Sequence, residues 1–157
     1  MLLAAVSIAS ASIDVYFSPN GGATDAIVKE LSAAKSEILV QAYSFTSAPI
    51  AKALSDAKKR GLKVEVILDK SQRSTKYSSM SFVKNQGVPV WIDQKPAIAH
   101  SKVMIIDQKT IITGSFNFTK AAEEKNTENL LVIKKEPDLV KKYLQNFSTR
   151  KALSVDQ

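Results

Sequence analysis

The chain has 157 residues, no cysteine and a single histidine, His100. Without cysteine there are no disulfides, iron–sulfur clusters, thiolate zinc sites or cysteine nucleophile. With one histidine, a multi-histidine metal centre within one chain is excluded. No apolar run is long enough to span a bilayer, and no linker, low-complexity tract or internal repeat interrupts the sequence.

What remains is ordinary globular material, 45% hydrophobic and 24% charged, of a length that suits one domain with a proper core. The charge is not balanced: 22 Lys and Arg stand against 15 Asp and Glu, a net +7. Such a surplus favours an anionic partner, although a merely basic soluble protein would show it too. The opening stretch "MLLAAVSIASAS" is apolar and ends in Ala9-Ser10-Ala11, a cleavage-site pattern, but it is short and lacks a basic start. Two segments are therefore expected, a leader-like hydrophobic piece at 1–11 and one domain at 12–157. A leader would send the protein to a bacterial periplasm or outside the cell. An ordered extension would leave it cytoplasmic.

Residues 13–17 alternate apolar and polar and read as a strand. Thr24 is placed to cap a helix carrying Ile27, Val28 and Leu31 on one face. Residues 37–43 form a near-continuous apolar strand, as expected for one covered on both sides. Ser47 and Pro49 open a second helix, and Gly61 closes it behind a basic end. A third strand follows at 63–69. This β-α-β-α-β order predicts an α/β fold, a largely parallel mixed sheet with helices on both faces. Beyond it come a polar loop with a weaker helix (71–87), a short strand (88–92), a hairpin about Gln108-Lys109, a strand at 128–134 and a closing helix from Pro137.

The stretch "HSKVMIIDQKTIITGSFNFT", 100–119, carries the chemistry. His100 and Lys102 share a face of an extended chain, as do Ser115 and Asn117. The hairpin would bring the two pairs side by side, and Gly114 would admit close backbone approach. Imidazole, ammonium, hydroxyl and amide together suit a phosphate. Asp107 lies about 16 Å beyond Lys102 at extended rise, so a turn or ion-pair role fits it better than contact with the same phosphate. Taken singly, each of these residues has an ordinary structural explanation.

At these positions the chain resembles the phospholipase D superfamily. Its H-x-K-x4-D signature and following G-S-x-N read as His100, Lys102, Asp107, Gly114, Ser115 and Asn117. The size and single motif are similar to the compact bacterial Nuc-type endonuclease branch. The resemblance implies phosphodiester hydrolysis without metal or cofactor, through a phosphohistidine at His100. Lys102, Ser115 and Asn117 would hold the phosphate, and Glu128 would orient the imidazole, though by itself it also reads as a surface glutamate. Two-motif members carry a second histidine. A single motif implies a homodimer that shares one site across a two-fold axis.

The basic balance points to nucleic acid, DNA or RNA, as substrate. Lys70, Arg73 and Lys76, just past the strand at 63–69, would bind flanking phosphates, unless they are simply a solvated charge cluster. The alternatives are a lipid phosphodiesterase and a non-catalytic nucleic-acid binder. No membrane-docking element is evident outside the leader-like segment, so no stable membrane association is expected.

Overall fold

Period-two alternation builds the sheet. In the computed structural model, which describes residues 10–76 and 78–157, eight strands form one sheet. They are β1 (Ser12–Ser18), β2 (Glu37–Ala42), β3 (Lys63–Asp69), β4 (Val90–Asp93), β5 (Lys102–Ile106), β6 (Thr110–Gly114), β7 (Glu128–Lys134) and β8 (Val155–Asp156). The leader-like residues 1–9 lie outside the described residues; Ser10 and Ala11 are exposed. Alternate residues go to opposite cores. Ile38, Val40, Val66, Leu68, Met104, Ile112 and Val132 pack with Ile27, Leu31, Ile50 and Leu54 of α1 (Ala23–Ala33) and α2 (Ala48–Lys59). Leu39, Ile67, Ile105, Ile111 and Ile133 pack with Val140 and Phe147 of α5 (Pro137–Ala152). The short helices α3 (Met80–Asn85) and α4 (Lys120–Glu124) put Val83 and Ala122 into the first core. An α/β fold with helices on both faces results.

The strand order is β1-β7-β6-β5-β2-β3-β4-β8. Only β2–β3 and β3–β4 pair in parallel; β1–β7, β7–β6, β6–β5, β5–β2 and β4–β8 are antiparallel. The sheet is mixed, as expected, but its parallel part is confined to three strands. The cause is β1, which leaves the expected β-α-β neighbourhood and pairs at the far edge with β7. It still runs the same way as β2, β3, β4 and β6.

Three local expectations change. Gly22, not Thr24, precedes α1, and the cap comes from far away: Glu123 accepts from the Gly22 and Thr24 N–H groups at 3.0 and 2.7 Å. The hairpin turns on Asp107 and Gln108, both with positive φ (52° and 53°), rather than on Gln108-Lys109. The polar stretch after β3 starts with a single 3-10 turn, Lys70–Arg73, tied back by Asp69 accepting from Ser71 N–H.

The topology collects the functional stretch at one end. The carboxyl ends of β1, β2, β3, β4 and β6 and the amino ends of β5 and β7 lie together, since Ala42 pairs with Lys102, Gly114 with Leu130, and Ser18 with Glu128. That edge is where α/β sheets build their sites.

Candidate active site

The segment 114–118 is fixed by its aromatics. Phe116 and Phe118 are fully buried, and Phe118 bridges to Phe45 while its carbonyl accepts from Thr46 and Ser47 N–H. Ser115 and Asn117 alternate with them and turn away from that core. Asn117 Oδ1 is buried with no hydrogen-bond partner, the one such side-chain atom among the described residues. Buried polar atoms are normally satisfied, and exceptions gather where function constrains a side chain. Gly114 has φ 144°, and a Cβ there would lie 2.3 Å from the Asn129 carbonyl oxygen. The close approach that it admits here is to the backbone of β7.

His100 stands exposed at the end of the 95–99 segment, which Asp69 anchors by accepting from Ala99 N–H at 2.7 Å. Lys102 is only 7% exposed, at the first position of β5. Its Nζ lies 3.0 Å from His100 Nδ1 and donates to the His100 carbonyl at 2.9 Å. A lysine donating to Nδ1 leaves the imidazole proton on Nε2. Tyr43, just past β2, packs its ring 4.5 Å from the His100 ring and lies under Lys102 Nζ at 5.1 Å. Burial pushes the Lys102 ammonium below the usual lysine range, against the opposing charge of Glu128. No carboxylate comes within ion-pair distance of Lys102 among the described residues.

The remaining sequence candidates divide. Glu128 begins β7 at the same end of the sheet, but its hydrogen bond is from Asn126 Nδ2. His100 Nδ1 faces Lys102 Nζ, and the negative charge of Glu128 opposes the lowering of the Lys102 pKa. Asp107 sits at the opposite end and accepts from the Lys35, Ser36 and Glu37 N–H groups and from Ser36 Oγ. Lys70, Arg73 and Lys76 are exposed beyond β3, at the end where His100 lies. Lys70 donates to the Pro96 carbonyl, and Arg73 to Gln94 and Gln157. Among the described residues no group of three or more His, Cys, Asp or Glu side chains could hold a metal ion.

Two residues escape sequence reading. Tyr43 reaches His100 across strands, and Asn129 holds Ser115 Oγ through its main-chain N–H at 3.0 Å and its Nδ2 at 3.3 Å. Neither belongs to the signature. The only hint is the position of each beside a strand end that the topology brings to the site.

In sequence and fold the chain is similar to known proteins. Residues 27–151 match the family model described as cardiolipin synthase, PLD-like domain. A phospholipase D of Rickettsia felis is 42% identical over 140 residues, which are 89% of this chain and 70% of that one. The human mitochondrial cardiolipin hydrolase is 30% identical over 82% of this chain and 51% of its own length. Among solved structures, Nuc from Salmonella typhimurium, a phospholipase D family member, superposes with a TM-score of 0.89 at 39% identity. That match covers 94% of this chain and 99% of Nuc.

Proposed function

The chain belongs to the phospholipase D-like family and is a phosphodiesterase, and on that premise we propose that it cuts nucleic acid internally, DNA or RNA, through a covalent phosphohistidine at His100. The observation that carries the phosphate site is Lys102, a buried ammonium with no ion-pair partner among the described residues. A buried cation is costly unless an anion meets it, and a phosphodiester supplies that anion beside the imidazole. Ser115 and Asn117 then donate to its non-bridging oxygens. Glu128 helps keep Lys102 charged.

The chemistry runs in two displacements. As phosphate draws Lys102 Nζ off the ring, Nε2 gives its proton to solvent water while Nδ1 takes one from it, which frees the Nε2 lone pair. Nε2 attacks, a P–N bond forms, and the P–O bond to the leaving oxygen breaks. That oxygen needs a proton, and one histidine cannot be nucleophile and acid at once. The His100 of a second copy supplies the proton, then takes one from the water that attacks phosphorus and breaks the P–N bond. This requires a homodimer with facing motifs. No step calls for a metal.

Nucleic acid as substrate is supported by the net charge of +7 and by the basic loop of Lys70, Arg73 and Lys76 at the site's end of the sheet. A second reading, a lipid phosphodiesterase, is favoured by exposed apolar side chains. Edge strand β1 exposes Ile13, Val15 and Phe17 on one face, and Ile98 is exposed near His100. Relatives named phospholipase D and cardiolipin hydrolase point the same way. Plasmid, single-stranded DNA, RNA and phosphatidylglycerol vesicles, each with excess EDTA, separate the two. Nucleic acid should be cut and vesicles spared. Lipid turnover with nucleic acid intact would transfer the assignment to lipid. Activity lost to EDTA and restored by magnesium would overturn the metal-free chemistry.

A further inference from the structure

We propose that Asn129 is a positioning residue that locks the Ser115 hydroxyl into the role of hydrogen-bond donor toward the phosphate. The inference rests on the phosphate site proposed above. A serine hydroxyl carries two acceptor lone pairs and one proton. Ser115 Oγ accepts from the Asn129 main-chain N–H at 3.0 Å and from Asn129 Nδ2 at 3.3 Å. With both lone pairs engaged, the proton has to point elsewhere, and Ser115 is exposed at the site's end of the sheet. The hydroxyl can only give. It cannot accept a proton from substrate or compete as a nucleophile.

The backbone is built for this lock. The Asn129 carbonyl accepts from both Ser115 and Phe116 N–H, at 3.1 and 3.2 Å. The main-chain N–H, carbonyl and side-chain amide of one residue thus fix the chain at 115–116. Gly114 makes it attainable, because any side chain there would strike the Asn129 carbonyl. The motif glycine serves Asn129, and Asn129 serves the motif serine. A donor aimed in advance gains most when charge builds on the non-bridging oxygens, so its loss should appear in kcat more than in KM.

A double-mutant cycle tests the lock on a small phosphodiester, with vanadate inhibition as a second reading. Ser115→Ala should lower kcat clearly. Asn129→Ala should lower kcat about five-fold with KM nearly unchanged, the loss expected for one hydrogen bond. In the Ser115→Ala background the same Asn129 change should alter kcat less than about two-fold, because its target is gone. Asn129 is exposed, so the alanine variant should keep its melting temperature; Asn129→Leu, similar in size, repeats the cycle if it does not. Additive losses in the two backgrounds would overturn the lock. So would a gain in kcat from Asn129→Ala, which would mean that the amide oxygen faces the serine and takes its proton. A Ser115→Ala variant with full activity would instead refute the phosphate site itself.

Discussion

At the residue scale, Lys102 shows how function and stability pull apart. An ammonium buried with no ion-pair partner among the described residues costs folding energy, and its pKa is lowered by that burial. Lys102→Met keeps the stem and removes the charge. Activity on a phosphodiester should fall by at least about 100-fold, the scale of a lost charge-stabilising donor. Melting temperature should hold or rise. A marked drop in melting temperature would make Lys102 a structural residue. Tyr43 offers a finer test, since His100 gives the only imidazole signal in a proton NMR spectrum. Tyr43→Leu should move that signal by removing the ring 4.5 Å away, whereas Tyr43→Phe should not; equal spectra for all three proteins would contradict the contact. His100, Lys102, Ser115 and Asn117 stand out in the sequence because two-residue spacings and the signature are local features of the chain. Tyr43 and Asn129 were not, because each meets its target from another strand.

At the scale of elements, the hairpin that carries His100 into place is secured at its far end by Asp107. Burial pushes its carboxyl up, but the hydrogen bonds from Ser36, Lys35 and Glu37 outweigh this and hold it below the usual range. A carboxyl lowered in the folded state stabilises fully above its unfolded pKa, and the gain is lost as pH falls through the folded value. Asp107→Ala should therefore destabilise by about 2 kcal/mol at neutral pH. The difference from wild type should shrink below about pH 4, where the unfolded carboxyl begins to protonate. A pH-independent difference would assign the effect to turn geometry alone. Most elements were readable from apolar alternation and helical spacing. The position of β1 was not, since strand order follows from long-range pairing. Nor was the cap of α1, which Glu123 supplies from α4.

At the scale of the whole molecule, charge and assembly decide what reaches the site. Neutralising Lys70, Arg73 and Lys76 together should weaken polynucleotide binding and flatten its salt dependence, by about one unit of slope for each phosphate that is no longer neutralised. Turnover of a small phosphodiester should hardly change. Equal loss on both substrates would place the cluster in the fold, through the bonds from Lys70 to Pro96 and from Arg73 to Gln94 and Gln157. The proposed dimer predicts that mixing wild type with His100→Ala gives activity that follows the square of the wild-type fraction on a poor leaving group. A straight line would mean independent sites. The +7 charge was plain in the sequence. The exposed stripe of Ile13, Val15 and Phe17 was hidden in an ordinary alternating strand, because alternation alone does not tell which side of an edge strand is exposed.

The central claim is the covalent step at His100, and the stereochemical course at phosphorus tests it most directly. A DNA phosphorothioate of known configuration is cleaved in oxygen-18 water with EDTA present, and the configuration of the product is read. Each in-line displacement inverts phosphorus. Attack by His100 followed by attack of water therefore predicts overall retention. Inversion would mean that water attacks the phosphodiester directly, and would contradict the phosphohistidine.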